Sequence, residues 1–248
     1  MVFTQVTRLV KSKGLWRDFL VLDLLDRRLH ERGIHALFIG LSTDTGRRSA
    51  EDIRRMAACG WPMVHREGGA DLSIGELQFD LQVRAFNGRS REIKTFFVNQ
   101  FGWDRQNCGE FLPDDAAFAD WRRGSDVELG QSIYEPFGIA QIEPMSYGAI
   151  SVVSDICGCV GSSTALRIGR GWRVLSRGPV YTRLEPKEGA RSEALQSEVV
   201  ALELADKLPA QSSERRELLP KGYTIARQMS WARVAEDLLL PVLRRLQG

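Results

Sequence analysis

Two glutamates, Glu135 and Glu143, lie eight residues apart on either side of Gly138. Carboxylates accept hydrogen bonds from hydroxyl groups, and at helical spacing eight residues advance the chain by about 12 Å with little net rotation. The two side chains would then lie on one side of the same element. A ligand about as long as a sugar joined to a nucleoside could reach both. A solvated helix face is the plainer interpretation of such a pair, because exposed carboxylates are common.

The segment that carries these glutamates predicts a strand, a tight turn, a short helix and a second strand. This order is the unit from which parallel sheets covered by helices are built. The turn would lie at the carboxyl end of a parallel strand, where open α/β sheets bind ligands. We therefore expect the backbone N–H groups of residues 138–141, which include Gly138, Ile139 and Ala140, to form an anion site at the start of the helix.

A second pair of candidates, Arg8 and Lys13, follows the first predicted strand at residues 2–6. Cations in a loop after a parallel strand can reach an anionic ligand held over the edge of the sheet. Five residues apart in such a loop, the two side chains can converge on one ligand. Ordinary surface charge is the alternative interpretation.

Together these residues resemble two signatures of one group of enzymes. The stretch from Glu135 to Glu143 looks like the E-x7-E motif of retaining nucleotide-sugar glycosyltransferases of the two-domain GT-B type, which include glycogen and starch synthases. Arg8-x4-Lys13, followed by Gly14, resembles the arginine and lysine with which the donor-binding domain of that group clasps the diphosphate. The resemblance covers nearly the whole chain except about residues 61–93.

The resemblance implies a role for each candidate. Arg8 and Lys13 would neutralise the leaving diphosphate, aided by the N–H groups that begin near Gly138. Glu135 would orient the donor sugar near its reacting carbon, and Glu143 would hold the ribose of the nucleotide. The resemblance implies no metal and no cofactor, because the nucleoside diphosphate sugar is itself a substrate.

The loop at residues 154–159 departs from the pattern of the group. It has one glycine, Gly158, where a double-glycine turn usually lies near the diphosphate, and this leaves open how closely the loop approaches the donor. The flanking Cys157 and Cys159 could bind a metal, but no second pair of cysteines or histidines lies near them at zinc-ligand spacing. Reduced thiols are the better interpretation, and four scattered cysteines do not make a disulfide scaffold.

The implied reaction is retaining transfer of a sugar, with glucose favoured, from a nucleoside diphosphate sugar to an acceptor hydroxyl, as in glycogen synthases. We expect a missing N-terminal acceptor domain, with a fragment of a longer protein favoured over a separate polypeptide. Without that domain the chain could be a nucleotide-binding module that catalyses nothing. A dinucleotide-dependent oxidoreductase is disfavoured, because the first strand is not followed by G-x-G-x-x-G.

The composition limits the classes of partner and the cellular location that we expect. With 34 basic and 32 acidic residues the formal net charge is +2, which gives no reason to expect nucleic acid. The sequence shows no run long enough for a membrane helix and no signal peptide, so we expect a cytoplasmic protein. Its three histidines, at positions 30, 35 and 65, pair with no Ser or Cys in a recognisable nucleophile setting.

The elements that must position these residues form one α/β domain over residues 1–248, Rossmann-like, with a mainly parallel sheet and helices on both faces. Such a domain is one half of a GT-B fold. We expect an insertion at about 61–93, with a short helix and a strand or hairpin near 81–86, and C-terminal helices at about 192–248. The other strands are predicted at 34–40, 94–101, 127–129, 150–153 and 172–175, and the other helices at 16–32, 49–58 and 113–122.

Overall fold

A computed structural model describes residues 1–43, 73–98, 113–160, 173–176 and 186–247 of the chain. In these ranges six strands form a single sheet in the order β3-β2-β1-β4-β5-β6, and every neighbouring pair is parallel. The α/β, Rossmann-like prediction is therefore confirmed. The strands are β1 (Val2–Arg8), β2 (Ala36–Thr43), β3 (Ile93–Val98), β4 (Val127–Gly130), β5 (Ile150–Ser154) and β6 (Arg173–Ser176).

Helices surround this sheet, as the parallel connections require. The α-helices are α1 (Leu15–Arg32), α2 (Ile74–Asn87), α3 (Phe118–Gly124), α4 (Ile139–Ile142), α5 (Pro186–Lys207), α6 (Ser212–Gln228), α7 (Trp231–Val234) and α8 (Leu240–Gln247). Short 3₁₀ helices span Lys11–Lys13 and Glu143–Tyr147, and a π-helical turn spans Ala235–Leu239. In the described ranges, no helix combines the length and apolar character needed to cross a bilayer.

The strand order reverses direction at β1. The chain builds outward through β2 and β3 on one side, then returns to place β4 against the other side of β1. In open parallel sheets, ligands bind in the crevice outside the carboxyl ends of the two strands at such a switch point. The loops after β1 and β4 carry Lys13 and Glu135, so the topology brings the two halves of the predicted site to one place.

Helix α1 shows how the sequence secures the strand that carries this site. Its apolar residues Val21, Leu22, Leu25 and Leu29 are fully buried in the main core, where they recur at helical spacing. The helix ends at Gly33, which takes a left-handed conformation with φ of 63°. The predicted helix at 16–32 is thus confirmed, and its apolar side lies in the same core as Phe3 of β1 and Phe38 of β2.

The expected strand or hairpin near 81–86 is wrong, because these residues lie within α2. Phe79, Val83 and Phe86 are buried and recur every three or four residues, which is the helical period. Ser73 and Glu76 close a capping box at the start of the helix, and this fixes the helical conformation locally. The remainder of the predicted insertion, up to residue 72, lies outside the described residues.

The C-terminal region is helical as expected, but it is more interrupted. Residues 209–217, which the sequence allows as a polar linker or a helix start, are mostly the start of α6, and residues 223–246 are divided among α6, α7, a π-helical turn and α8. The break after α6 occurs where the Ser230 side chain accepts a hydrogen bond from the N–H of Arg233 and caps α7. Trp231, the first residue of α7, is 80% exposed.

Candidate functional site

An open cleft of about 380 Å³ lies at the carboxyl ends of β1 and β4. Its size suits a small-molecule ligand. The cleft contains six of the seven predicted site residues, namely Arg8, Lys13, Glu135, Gly138, Ile139 and Ala140. Val6, Thr7, Pro136, Phe137 and Gln141 complete the described lining.

Arg8 is the last residue of β1 rather than a loop residue, because the strand continues two residues beyond the predicted end at Val6. Its side chain is exposed and lines the cleft. In the part of the chain that the structure describes, no carboxylate pairs with its guanidinium group.

Lys13 ends a 3₁₀ turn that is closed by Gly14 in a left-handed conformation with φ of 64°. A side chain at Gly14 would place its Cβ 2.4 Å from the carbonyl oxygen of Gln131, so only glycine permits this close approach. The N–H groups of Ile133 and Tyr134 donate to the carbonyl of Ser12 at 2.8 and 3.2 Å. The loops after β1 and β4 are thus joined by their backbones.

This connection brings Lys13 to Glu135. The ammonium group donates a hydrogen bond to the Glu135 carboxylate, and both side chains are only partly exposed. The two residues come from distant parts of the sequence, and the resemblance placed both at one ligand. Because they meet at the cleft, the Lys13 ammonium group could turn to the phosphate groups of a ligand and the Glu135 carboxylate to its hydroxyl groups.

The turn from Glu135 to Gly138 rests on the loop that follows β5. Gly158 donates its N–H to the carbonyl of Glu135 at 3.0 Å, and Cys159 donates its N–H to the carbonyl of Phe137 at 2.6 Å. A Cβ at Gly158 would lie 1.8 Å from the carbonyl oxygen of Pro136. The single glycine of this loop therefore supports the turn of the site by direct backbone contact.

The two cysteines that flank Gly158 are buried, and their sulfur atoms lie 3.3 Å apart. The Cys157 thiol also donates to the carbonyl of Phe137 at 3.1 Å. A hydrogen bond from Cys159 lowers the pKa of Cys157, while the same hydrogen bond and burial raise the pKa of Cys159. Among the described residues no group of three histidines, cysteines or carboxylates is arranged to hold a metal ion.

Gly138 begins α4 with φ of 95°, and this helix is only four residues long. Glu135 therefore lies before the helix, and Glu143 lies after it at the start of a 3₁₀ helix in which Pro144 occupies the first turn. The expected arrangement of eight continuous helical residues is wrong, since Pro144 cannot donate the backbone hydrogen bond that an α-helix needs there. A helix of one turn also contributes little dipole to an anion site.

Glu143 is not among the described residues that line the cleft. Its side chain is 48% exposed, and its carboxylate accepts a hydrogen bond from Nη2 of Arg122 at 3.2 Å. The structure thus brings six of the predicted site residues together in one cleft and places the seventh, Glu143, beside a buried arginine.

Sequence reasoning missed this arginine and its partner. Arg122 and Glu128 form an ion pair, with Nη1 3.1 Å from Oε2, in which both side chains are almost fully buried. Glu128 also accepts hydrogen bonds from the hydroxyl of Thr4 and from the N–H of Val6, while burial raises the pKa of its carboxyl. The sequence signal that could have revealed this pair is Glu128, a charged residue within the apolar run of β4.

A second buried carboxyl, Asp18, lies beneath the same loops. It accepts hydrogen bonds from the side-chain amides of Gln131, at 2.8 Å, and of Gln5. Burial raises its pKa to about 7 in spite of these donors. Gln5 belongs to β1 and Gln131 follows β4, so this cluster joins the two strands of the switch point.

Some predictions fall outside the described residues. They include the helix at 49–58, the end of the strand at 94–101 from residue 99 onward, and residues 61–72 of the insertion. Of the three histidines, His30 and His35 both contact Glu92, far along the chain from the site residues. His65 is not described.

The comparisons with known proteins agree with this architecture. The sequence matches no protein-family model, and no curated protein matches it significantly. Among solved structures, an α,α-trehalose-phosphate synthase (UDP-forming) from Burkholderia vietnamiensis covers 100% of the chain with a TM-score of 0.58 and 15% identity. The chain spans 44% of the length of that protein.

Two further structures have the same fold. One is described as trehalose-6-phosphate from E. coli bound with UDP-2-fluoro glucose. It has a TM-score of 0.55 and 16% identity, and the match covers 93% of this chain and 41% of that one. The other is the N-terminal domain of trehalose-6-phosphate phosphatase from Candida albicans, with a TM-score of 0.59, 12% identity, and coverage of 98% and 41%. The chain therefore has the Rossmann-like fold found in one half of GT-B glycosyltransferases.

Proposed function

We propose that this chain is the donor-binding half of a retaining glycosyltransferase that transfers a sugar from a nucleoside diphosphate sugar to an acceptor hydroxyl. The observation that carries the proposal is the meeting of Arg8, Lys13 and Glu135 in one cleft at the switch point of the sheet. Two sequence signatures predicted these residues independently, and the fold brings them to the edge where such sheets bind ligands.

Each residue in the cleft has a role that its geometry allows. Arg8, which has no described ion-pair partner, and Lys13 would bind the diphosphate and stabilise the charge that it gains as it leaves. Glu135 would accept hydrogen bonds from the sugar hydroxyls and orient the ring. Lys13 and Glu135 contact each other before a ligand arrives, so both side chains already lie at the cleft where the donor would bind.

The donor that we propose is UDP-glucose. A neighbour described as UDP-forming and another bound with UDP-2-fluoro glucose support this choice. The prediction of a glucosyl donor from the sequence agrees with these names, whereas the closer likeness to glycogen synthases stays a prediction. The cytoplasmic location stays a prediction as well.

The acceptor would bind to a part of the enzyme outside this chain. The chain spans 41–44% of the neighbouring enzymes, and in two-domain enzymes of this type the acceptor is held across the cleft from the donor. We therefore propose an N-terminal acceptor domain as the partner of this chain. Transfer of the sugar would require both halves.

A second candidate is a module that binds nucleotide without catalysis. One neighbour with the same fold is the N-terminal domain of a protein named as a phosphatase, so the fold is not confined to proteins named as synthases. Slow release of UDP from UDP-glucose, as hydrolysis to free glucose, would favour the enzyme. Saturable binding of UDP-glucose with no turnover over hours would favour the module.

The test of the donor site is calorimetric titration of the chain with UDP, ADP and GDP. We expect saturable binding of UDP that weakens about 10-fold or more in Arg8→Ala, because a charge-assisted contact to phosphate contributes on the order of 1.5–3 kcal/mol. Lys11→Ala is the matched control, because Lys11 is exposed in the same 3₁₀ turn but does not line the cleft. Equal loss in both variants, or no binding of any nucleotide at millimolar concentration, would contradict the proposal.

A further inference from the structure

Arg122 lies between two carboxylates that differ greatly in exposure. Its Nη1 is 3.1 Å from Oε2 of Glu128, and its Nη2 donates to Oε2 of Glu143 at 3.2 Å. The Glu128 side chain is 2% exposed, whereas that of Glu143 is 48% exposed. One guanidinium group therefore connects the core of the domain to a carboxylate at its surface.

The buried end of this connection is held firmly. Glu128 lies on β4 and accepts hydrogen bonds from the hydroxyl of Thr4 and, at 3.0 Å, from the N–H of Val6. Both donors belong to β1, and Val6 lines the cleft. The position of the Glu128 carboxylate is thus fixed by the same strand that presents Arg8 to the ligand.

Arg122 has little freedom against this anchor. Its guanidinium carbon lies 5.1 Å from the centre of the Phe118 ring, and its side chain is 3% exposed. The planar guanidinium group presents donors in fixed directions, so an arginine held on one side determines where its other donor points. The flexible Glu143 side chain is therefore confined before any ligand binds, and it loses less conformational freedom on binding.

We infer that Arg122 is a positioning residue that holds the Glu143 carboxylate in place for the ribose hydroxyls of the nucleotide. The inference rests on the proposed function and on the ribose-binding role that the resemblance implies for Glu143, which follows the cleft-lining residues 138–141 directly in the chain. Arg122 does not touch the nucleotide. Glu128 on β4 is held by hydrogen bonds from β1, and through its pair with Glu128, Arg122 fixes the position of the Glu143 carboxylate on a short, interrupted helical segment.

The test must separate this role from a purely structural one. Arg122→Gln alone would leave Glu128 buried without its cation, and the protein could fail to fold for that reason. The double variant Arg122→Gln with Glu128→Gln replaces the buried ion pair by two neutral amides of similar size. It removes the group that orients Glu143 without leaving an unpaired buried charge. Arg123→Gln is the matched control, since the neighbouring Arg123 is exposed and pairs with Asp120.

The readout is the ratio of the affinities for UDP and for 2′,3′-dideoxyuridine diphosphate, which lacks both ribose hydroxyls. We expect the original protein and Arg123→Gln to prefer UDP by about 10- to 100-fold, as hydrogen bonds to a charged carboxylate contribute that much. In the double variant this preference should fall to within about threefold of unity, as it should in Glu143→Gln, while binding of the dideoxy nucleotide is retained.

The outcomes are distinct. A double variant that keeps the full preference for UDP would overturn the role of Arg122 and leave the donor site intact. An original protein that binds both nucleotides equally would overturn the assignment of Glu143, and the inference with it. An original protein that binds neither nucleotide would overturn the proposed function itself.

Discussion

The loop-facing end of the sheet has two ion pairs that serve different purposes. Lys13 and Glu135 meet at the wall of an open cleft, with side chains 18% and 15% exposed, whereas Arg122 and Glu128 meet in the interior at 3% and 2%. Removing charges from water costs free energy that only close partners recover, so loss of one partner of the inner pair would leave an uncompensated buried charge. The outer pair can open toward a ligand at little cost. Breaking the inner pair should therefore lower the stability of the fold, whereas we assign ligand binding to the outer pair.

The largest effect should come from breaking the inner pair. Arg122→Ala leaves the Glu128 carboxylate buried and unpaired, and we expect the free energy of unfolding to fall by about 3–5 kcal/mol. The loss should be smaller at pH 5 than at pH 8, because protonation of Glu128, whose pKa burial already raises, removes the buried charge. Urea denaturation at the two pH values measures both effects.

Arg123→Ala is the control for this prediction, because the adjacent arginine is exposed and its pair with Asp120 should contribute less than about 1 kcal/mol. If the two variants lose similar stability, the contrast between the inner and outer pairs does not hold.

The next effect concerns the support of the outer pair. Gly158→Ala would place a Cβ 1.8 Å from the carbonyl oxygen of Pro136, so the turn that carries Glu135 must move. We expect a loss of about 1–3 kcal/mol in the free energy of unfolding, together with weaker UDP binding. Thermal unfolding and titration of the same sample measure the two quantities.

Gly189→Ala is the matched glycine, since nothing lies within 4 Å of a Cβ at that helical position. It should be neutral or stabilising by up to about 1 kcal/mol. Normal UDP affinity in Gly158→Ala would show that the loop after β5 does not support the site.

A further, pH-dependent effect concerns Asp18, the buried carboxyl that is held by the side-chain amides of Gln5 and Gln131. Burial raises the pKa of Asp18 from 3.8 to about 7, so between these values the folded protein holds a proton that the unfolded chain has released. Its contribution to stability is therefore complete below about pH 4 and is lost as the pH rises toward 7.

Asp18→Asn should flatten the dependence of unfolding free energy on pH in that window by up to about 1.4 kcal/mol per pH unit. Urea denaturation at intervals between pH 4 and pH 8 measures the slope. An unchanged slope would mean that Asp18 titrates normally in the folded protein.

The smallest effect on stability should come from the outer pair. Lys13→Ala removes a partly exposed ion pair, and we expect a change of less than about 1 kcal/mol in unfolding free energy. UDP affinity should nevertheless fall about 10-fold or more, because the lost ammonium group would have bound the diphosphate. A variant that unfolds much more easily but binds UDP normally would reverse the assignment of the two pairs.

The sequence predicted that the two residues of the outer pair lie at one site, but it did not predict the inner pair, and the difference has a physical reason. The motifs around Lys13 and Glu135 lie in turns after strands, and the end of a parallel strand determines where such residues point. Glu128 lies inside the apolar run of β4, and its pairing with Arg122 depends on how α3 packs against the sheet. Local sequence does not encode that packing.

Two other differences between the predicted and the observed structure arise where local sequence signals conflict. The alternation at residues 81–86 suggested a strand, but the capping box at Ser73 and the helical recurrence of Phe79, Val83 and Phe86 determine the structure. Pro144 cannot continue an α-helix, and the structure places it in the first turn of a new 3₁₀ helix. Because α4 spans only Ile139–Ile142, Glu135 lies before it and Glu143 after it, and the two do not share a helix face.

Amide chemical-shift mapping with UDP tests the central claim most directly, since it shows where the ligand binds as well as whether it binds. Isotope-labelled protein would be titrated with UDP, and Lys13→Ala would be titrated in parallel. The account predicts saturable shifts that cluster at residues 8–14 and 135–143 and that weaken in the variant. Shifts that cluster elsewhere, such as on the groove between α1 and α5 near Arg28 and Arg32, or no shifts at millimolar UDP, would contradict it.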